Sequence, residues 1–163
     1  MKKKILILGS EGQVGLHLKS YLKTKNYYVM DFDIVNKKNQ DLRKFNNRLL
    51  ISKIKKSDFI YFLAFDVGGS RYLKKYQNTF EFLSNNIRLM ENTFTLIKKY
   101  RKPFLFASSQ MSNMTYSNYG ILKNIGEKYS QILDGLVVKF WNVYGIENDL
   151  SKSHVITDFI LKG

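Results

Sequence analysis

The chain has 163 residues, 44% of them hydrophobic and 15% aromatic, which fits one globular domain over 1–163 with a core of its own. It has no cysteine, which excludes disulfides and cysteine-bound zinc, fits a cytoplasmic protein, and leaves no expected metal site. The formal charge of +14 comes from lysines spread from Lys2 to Lys162, which favours a solvated basic surface over a nucleic-acid footprint, and no apolar run is long enough to span a membrane.

Met1-Lys2-Lys3-Lys4 precedes only four apolar residues, Ile5-Leu6-Ile7-Leu8, too few for a signal peptide and right for a buried parallel strand. Gly9-Ser10-Glu11-Gly12-Gln13-Val14-Gly15 follows, and Val14, Leu18, Tyr21 and Leu22 then recur at helical spacing. Strand, glycine turn and helix form the setting in which GxxGxxG binds a dinucleotide. The glycines permit a tight turn, and the helix N-terminus presents backbone N–H groups to a pyrophosphate. A purely structural turn is the alternative.

Tyr27 to Asp33 reads as a second strand ending in acid. Asp33, with Asp31 in reserve, is placed to accept hydrogen bonds from ribose hydroxyls. A carboxylate there repels a 2′-phosphate, so NAD is favoured over NADP, although Lys37 and Lys38 weaken the preference. Asp41-Leu42 is a short strand or a loop against the adenine. Phe45, Leu49, Leu50 and Ile54 predict a helix over 43–56, and Phe59 to Phe65 a buried strand with Gly68-Gly69 beyond its end.

Residues 79–100 are expected to form a long helix with Phe80, Leu83, Ile87, Met90, Phe94 and Ile97 in one stripe. The stripe suits the core, or half of a homodimer interface. Asn85 and Asn86 fall in its middle. Pro103 closes this helix. Phe104 to Ala107 is the next strand, with Ser108-Ser109 at its end, a polar loop to Asn118, and a helix from Tyr119 to about Leu133. Asp134-Gly135 turns into a strand over Leu136–Trp141, then Asn142-Val143-Tyr144-Gly145, and Val155 to Leu161 starts a helix. Strands alternating with helices predict an α/β, doubly wound parallel sheet.

Tyr119 and Lys123 lie one helical turn apart. A nearby ammonium stabilises a phenolate and lowers its pKa from about 10, so the pair can transfer a proton near neutrality. Ser109 is placed to hydrogen-bond the same substrate oxygen, with hydride passing to or from a nicotinamide. In a chain with eleven tyrosines a YxxxK pair alone means little. After a Ser-Ser strand end and a GxxGxxG opening, it becomes the favoured reading.

From Lys3 to about Leu161 the chain resembles the extended short-chain dehydrogenase/reductases, in their NAD-dependent epimerase/dehydratase group acting on nucleotide sugars. The resemblance rests on Gly9, Gly12, Gly15, Asp33, Asp41-Leu42, Leu63-Ala64, Asn86, Ser108-Ser109, Tyr119 to Lys123, and Asn142 to Gly145. It implies a Rossmann-type fold with a cofactor held by the glycine turn with Gln13 and Val14, by Asp33, Asp41, Leu42, Leu63 and Ala64, and by Tyr119 and Lys123. It makes Tyr119 the acid/base and has Lys123 lower its pKa and bind the nicotinamide ribose. Ser109, Asn86 and Asn142 would meet a nucleotide-sugar substrate, and His154 falls roughly where the family meets the pyrophosphate. Val67-Gly68-Gly69 looks like a segment of GDP-sugar epimerase-reductases.

Three departures narrow the expectation. Only ten positions separate Ser109 from Tyr119, far fewer than is usual in the group. Gln110-Met111 stand where the sugar dehydratases carry Asp-Glu, which favours an epimerase or reductase over a dehydratase. The family's C-terminal substrate-binding part is not in the sequence. A non-catalytic NAD-binding module or sensor is the alternative reading.

Overall fold

Five parallel strands are laid side by side in the order β2-β1-β3-β4-β5 in a computed structural model that describes residues 2–145. They are β1 (Lys4–Leu8), β2 (Tyr28–Phe32), β3 (Phe59–Phe62), β4 (Phe104–Ser109) and β5 (Leu136–Phe140). The connections carry α1 (Gln13–Thr24), α2 (Arg48–Lys56), α3 (Ser70–Tyr76), α4 (Phe80–Tyr100) and α5 (Asn118–Ile132), with a 3-10 turn over Gln110–Asn113. Strand order reverses between β1 and β3, so the crevice at the carboxyl edge of the sheet opens there.

The period-two alternation of strand side chains divides the core between the two faces of the sheet. Leu6, Leu8, Ile60, Phe62, Phe104 and Phe106 face α2, α4 and α5, and are joined there by Leu50, Ile54, Leu89, Met90, Phe94 and Leu122. Phe62, Phe94, Phe104 and Phe106 meet edge-on or tilted at 5.2–5.9 Å, the geometry that aromatic quadrupoles favour. Ile5 and Ile7 point the other way, against Leu18 and Leu22 of α1. Among the described residues α1 is the helix on that face, and the edge strand β5 keeps Leu136 and Val138 exposed.

Several expected elements are trimmed or rotated. The helix expected from 43 begins at Arg48, because Asn47 caps it by accepting from the N–H groups of Leu49 and Leu50. Phe45 therefore lies outside it and is exposed, and Asp41-Leu42 forms a turn instead of a strand. Tyr21 of α1 is exposed rather than buried, with Lys25 over its ring. In α4 the expected stripe is only half right: Phe80 and Ile87 are exposed while Phe82, Leu89, Thr93 and Leu96 are buried. α4 touches the sheet, α2 and α5 together, so its buried arc is wider than a single stripe and turned away from those two residues. Helix α3 is an addition to the expected elements. The helix over Val155 to Leu161 lies outside the described residues.

Candidate active site

Gly9 closes β1 with φ of +87°, a backbone conformation that glycine adopts without strain, and its N–H donates to Phe32 O at 2.9 Å. A Cβ there would lie 2.6 Å from Ala64 N, so the turn rests directly on the end of β3. A Cβ on Gly15 would lie 2.0 Å from Gly9 O. Gly12 starts α1 with no side-chain cap, which leaves the first N–H groups of that helix to face the crevice. Gly15→Ala is therefore expected to force the turn apart, destabilising the fold by about 1–3 kcal/mol and weakening dinucleotide affinity. Urea unfolding and a binding titration measure the two effects.

Asp33 lies one residue past β2, beside that turn. Its Oδ2 accepts from Glu11 N and its Oδ1 from Val35 N, both at 2.9 Å, which aims the carboxylate at the crevice mouth. Glu11 adds a second carboxylate, ion-paired with Lys19 and accepting from Asn36 Nδ2 at 3.0 Å. Burial pushes the Glu11 carboxyl up, and hydrogen bonds from Lys19 and Asn36 bring it below the usual carboxylate range.

Asp41 is engaged by its own neighbour. Arg43 donates from Nε to Oδ1 and from Nη2 to Oδ2, both at 2.9 Å, while its Nη1 donates to Asn85 Oδ1 at 2.8 Å. Asn85 Nδ2 donates to Asp66 Oδ2 at 3.1 Å, and Tyr72 OH donates to Asp66 Oδ1 at 2.6 Å. This chain ties the 41–43 loop to α4 and α3 across one wall of the crevice. Arg43, Asp66 and Tyr72 were not singled out from sequence, because the link that joins them runs through Asn85, far along the chain from both Arg43 and Asp66. Leu42 is buried in the core and also lines the crevice.

Asn86 is fully buried. Its Oδ1 accepts from Asp66 N at 2.8 Å, and its Nδ2 donates to Asp66 O and Phe82 O. The expected substrate contact is thus replaced by a clamp on the backbone leaving β3, because that backbone offers a donor and an acceptor just where the amide points. Leu63, Ala64 and the exposed Asn142 line the crevice, as do Gln13 and Val14. Gln13 Nε2 is a buried donor with no partner. His154 lies outside the described residues.

Ser109, Tyr119 and Lys123 come together at the crevice floor. Ser109 ends β4, and its Oγ accepts from Met111 N at 3.2 Å to start the 3-10 turn. Met114 N donates to Met111 O and Ser117 N to Met114 O, and Ser117 Oγ then caps α5 by accepting from Gly120 N. Ten positions suffice because this run of tight turns folds α5 straight back under the strand. Burial pushes the Tyr119 phenol above its ordinary value, and a hydrogen bond with Ser109 draws it back.

Lys123 is the most deeply buried of the three. It is 4% exposed, its Nζ donates to Ala107 O at 2.7 Å, and the ring of Phe65 lies 3.8 Å from Nζ. Burial lowers it to about 7, against a smaller upward pull from Glu127. Burial, more than either neighbour, sets the direction of the phenol. Below it, Glu127 accepts from Ser108 Oγ at 2.5 Å and pairs with Lys139 at 3.1 Å.

These groups share one crevice of about 1200 Å³, lined from Gly9 and Asp33 at one end to Ser109, Tyr119 and Asn142 at the other. A glycine-rich turn beside a helix N-terminus, two carboxylates at the crevice mouth and an unpaired amide fit a dinucleotide. Among the described residues no His, Asp and Glu cluster suits a metal ion, and no helix is long and apolar enough to cross a membrane.

Comparison with known proteins agrees with this architecture. A bifunctional polymyxin resistance protein ArnA from Wigglesworthia glossinidia brevipalpis is 29% identical over 178 residues, covering 91% of this chain and 26% of that protein. A dTDP-4-dehydrorhamnose reductase from Bacillus anthracis str. Ames, solved in complex with NADP, superposes with a TM-score of 0.72 at 16% identity, covering 99% of this chain and 60% of the other. A UDP-glucose 4-epimerase from Brucella ovis, solved in complex with NAD, gives 0.72 at 14% identity, covering 89% and 54%. The chain thus spans about a quarter of that curated relative and just over half of the solved structures. The profile of one family matches residues 5–163, nearly the whole sequence. Its glycine turn, switch-point crevice and Tyr-Lys helix follow from that membership: the chain belongs to the NAD dependent epimerase/dehydratase family.

Proposed function

We propose that this chain forms the dinucleotide-binding part of a nucleotide-sugar epimerase or reductase. The observation that carries this reading is the meeting of Ser109, Tyr119 and Lys123 in the crevice that the glycine turn opens. Bound nicotinamide would supply the hydride acceptor or donor. The Tyr119 oxygen takes the proton from a sugar hydroxyl, or returns it to a carbonyl, and Ser109 hydrogen-bonds the same oxygen. Lys123 holds ribose hydroxyls and, once given those acceptors, stabilises the phenolate. Asn142 contributes to the sugar-nucleotide side.

Asp33 and Glu11 both lie where a 2′-phosphate would be repelled, which supports NAD over NADP. The exposed Phe80 and Ile87 of α4, with Ile121, Ile125 and Ile132 of α5, support a homodimer through these helices. The raised phenol and the buried lysine, lowered by the same burial, favour a second reading, a module that binds dinucleotide without turnover.

The single tryptophan, Trp141, lines the crevice, so quenching of its emission reports NADH and NADPH directly. NADH is expected to bind more tightly than NADPH. Asp33→Ala should weaken NADH by about tenfold, the worth of a charge-assisted hydrogen bond, and narrow the preference. Binding of neither dinucleotide would overturn the reading.

A further inference from the structure

Gln40 is 6% exposed, and it lines the crevice beside Asp33. One end of its amide is committed, since Oε1 accepts from Asp33 N at 2.8 Å. A backbone N–H can only donate, so this bond fixes which amide atom is oxygen and leaves Nε2 on the other branch. Nε2 finds no acceptor among the described residues. Among those residues the side-chain polar atoms that are buried without a partner are Gln13 Nε2, Thr93 Oγ1 and Ser112 Oγ. Gln40 Nε2 is not one of them, so its free N–H groups open on the crevice. The backbone beneath is held. Gln40 N donates to Lys37 O at 2.7 Å, and Asn47 Nδ2 donates to Asn39 O at 2.7 Å and to Asp41 O at 3.4 Å. The amide thus closes the loop from Asp33 to Gln40 at its base, and ties the two residues into one unit.

We propose that Gln40 determines specificity for the adenosine ribose, its Nε2 donating to the oxygen of the 2′-hydroxyl while that hydroxyl donates to the Asp33 carboxylate. The proposal rests on the dinucleotide-binding reading above. A hydroxyl is donor and acceptor at once, and a carboxylate answers only its proton. Glu11 N and Val35 N orient the two oxygens of that carboxylate at the crevice mouth. Gln40 supplies the missing donor from a side chain already bonded to the backbone of Asp33, so little is left to order when the ribose arrives. A ligand without the hydroxyl leaves both groups unanswered, the condition under which a polar site discriminates most strongly.

The test titrates Trp141 quenching with NADH and with the NADH analogue that lacks the 2′-hydroxyl of the adenosine ribose. The parent is expected to prefer NADH by at least about tenfold. Gln40→Glu keeps an oxygen for Asp33 N and loses the donor. Its added charge acts on both ligands alike and cancels in their ratio, which should fall about fivefold. The same fall is expected when Gln40→Glu is made in Asp33→Ala, where no carboxylate at position 33 remains to be displaced. Should Gln40→Glu fail to fold, Gln40→Met, neutral and of similar length, is measured in both backgrounds. A ratio that falls in the parent background and not in Asp33→Ala overturns the proposal, since Gln40 then only braces Asp33. NADH and the analogue binding the parent equally well also overturns it and leaves the dinucleotide reading standing. Binding of neither by the parent overturns the dinucleotide reading itself.

Discussion

Tyr119→Phe is expected to lower nucleotide-sugar turnover by about 10²- to 10⁴-fold, the usual worth of a positioned acid or base, with dinucleotide affinity unchanged. The substitution removes one oxygen and keeps the ring that packs edge-on against Phe65. Ser109 retains its bond from Met111 N, so the start of the 3-10 turn is preserved. The loss should therefore fall on kcat, with KM close to that of the parent, because the phenol acts on the proton in flight and adds little to ground-state binding. The phenol lies above its ordinary value through burial, so oxidation of a hydroxyl should accelerate as pH rises through neutrality. That limb should vanish in the variant. Equal turnover by parent and variant would remove Tyr119 from the chemistry and leave the non-catalytic module as the standing explanation.

The glycine turn and the Ser109–Tyr119–Lys123 set were legible because each is local. Gly9 to Gly15 sits between an apolar strand and a periodic helix, and Tyr119 and Lys123 share a face by spacing alone. The Arg43–Asn85–Asp66 link was not, since it joins positions 42 and 19 residues apart. Helix α3 was hidden because Ser70–Tyr76 is too short to show a helical period. Its Tyr72, Leu73 and Tyr76 make sense only once Asp66 and the core lie beneath them. The stripe on α4 is off at Phe80 and Ile87 for the same reason: they fit the pattern, but neighbouring elements decide which side is buried. Least legible of all was the charge of Lys123. Spacing places it next to Tyr119, but only packing shows that its Nζ lies against the Phe65 ring and is desolvated.

That desolvation makes Lys123 a burden on the fold. An amine of ordinary value 10.5 falls to about 7 in the folded chain. Between those values the unfolded chain binds more protons than the folded one, so stability rises with pH across the window. The cost of burying the charge is fully present below about 7 and gone above 10.5. Lys123→Met carries no such proton and keeps most of the volume. At about 1.4 kcal/mol for each tenfold change in proton affinity, less about 1 kcal/mol for the lost bond to Ala107 O, the variant is expected to be more stable than the parent at pH 6 by about 4 kcal/mol. The gap should shrink steadily as pH rises and reverse near pH 10, where only the missing hydrogen bond remains. Paired urea titrations from pH 6 to pH 10 read this directly, since the other titrating groups are common to both proteins and cancel. A gap that does not change with pH would mean that the ammonium is not desolvated in the folded chain. The same substitution should weaken NADH, and the two results together would show a side chain kept for its ligand at the expense of the fold.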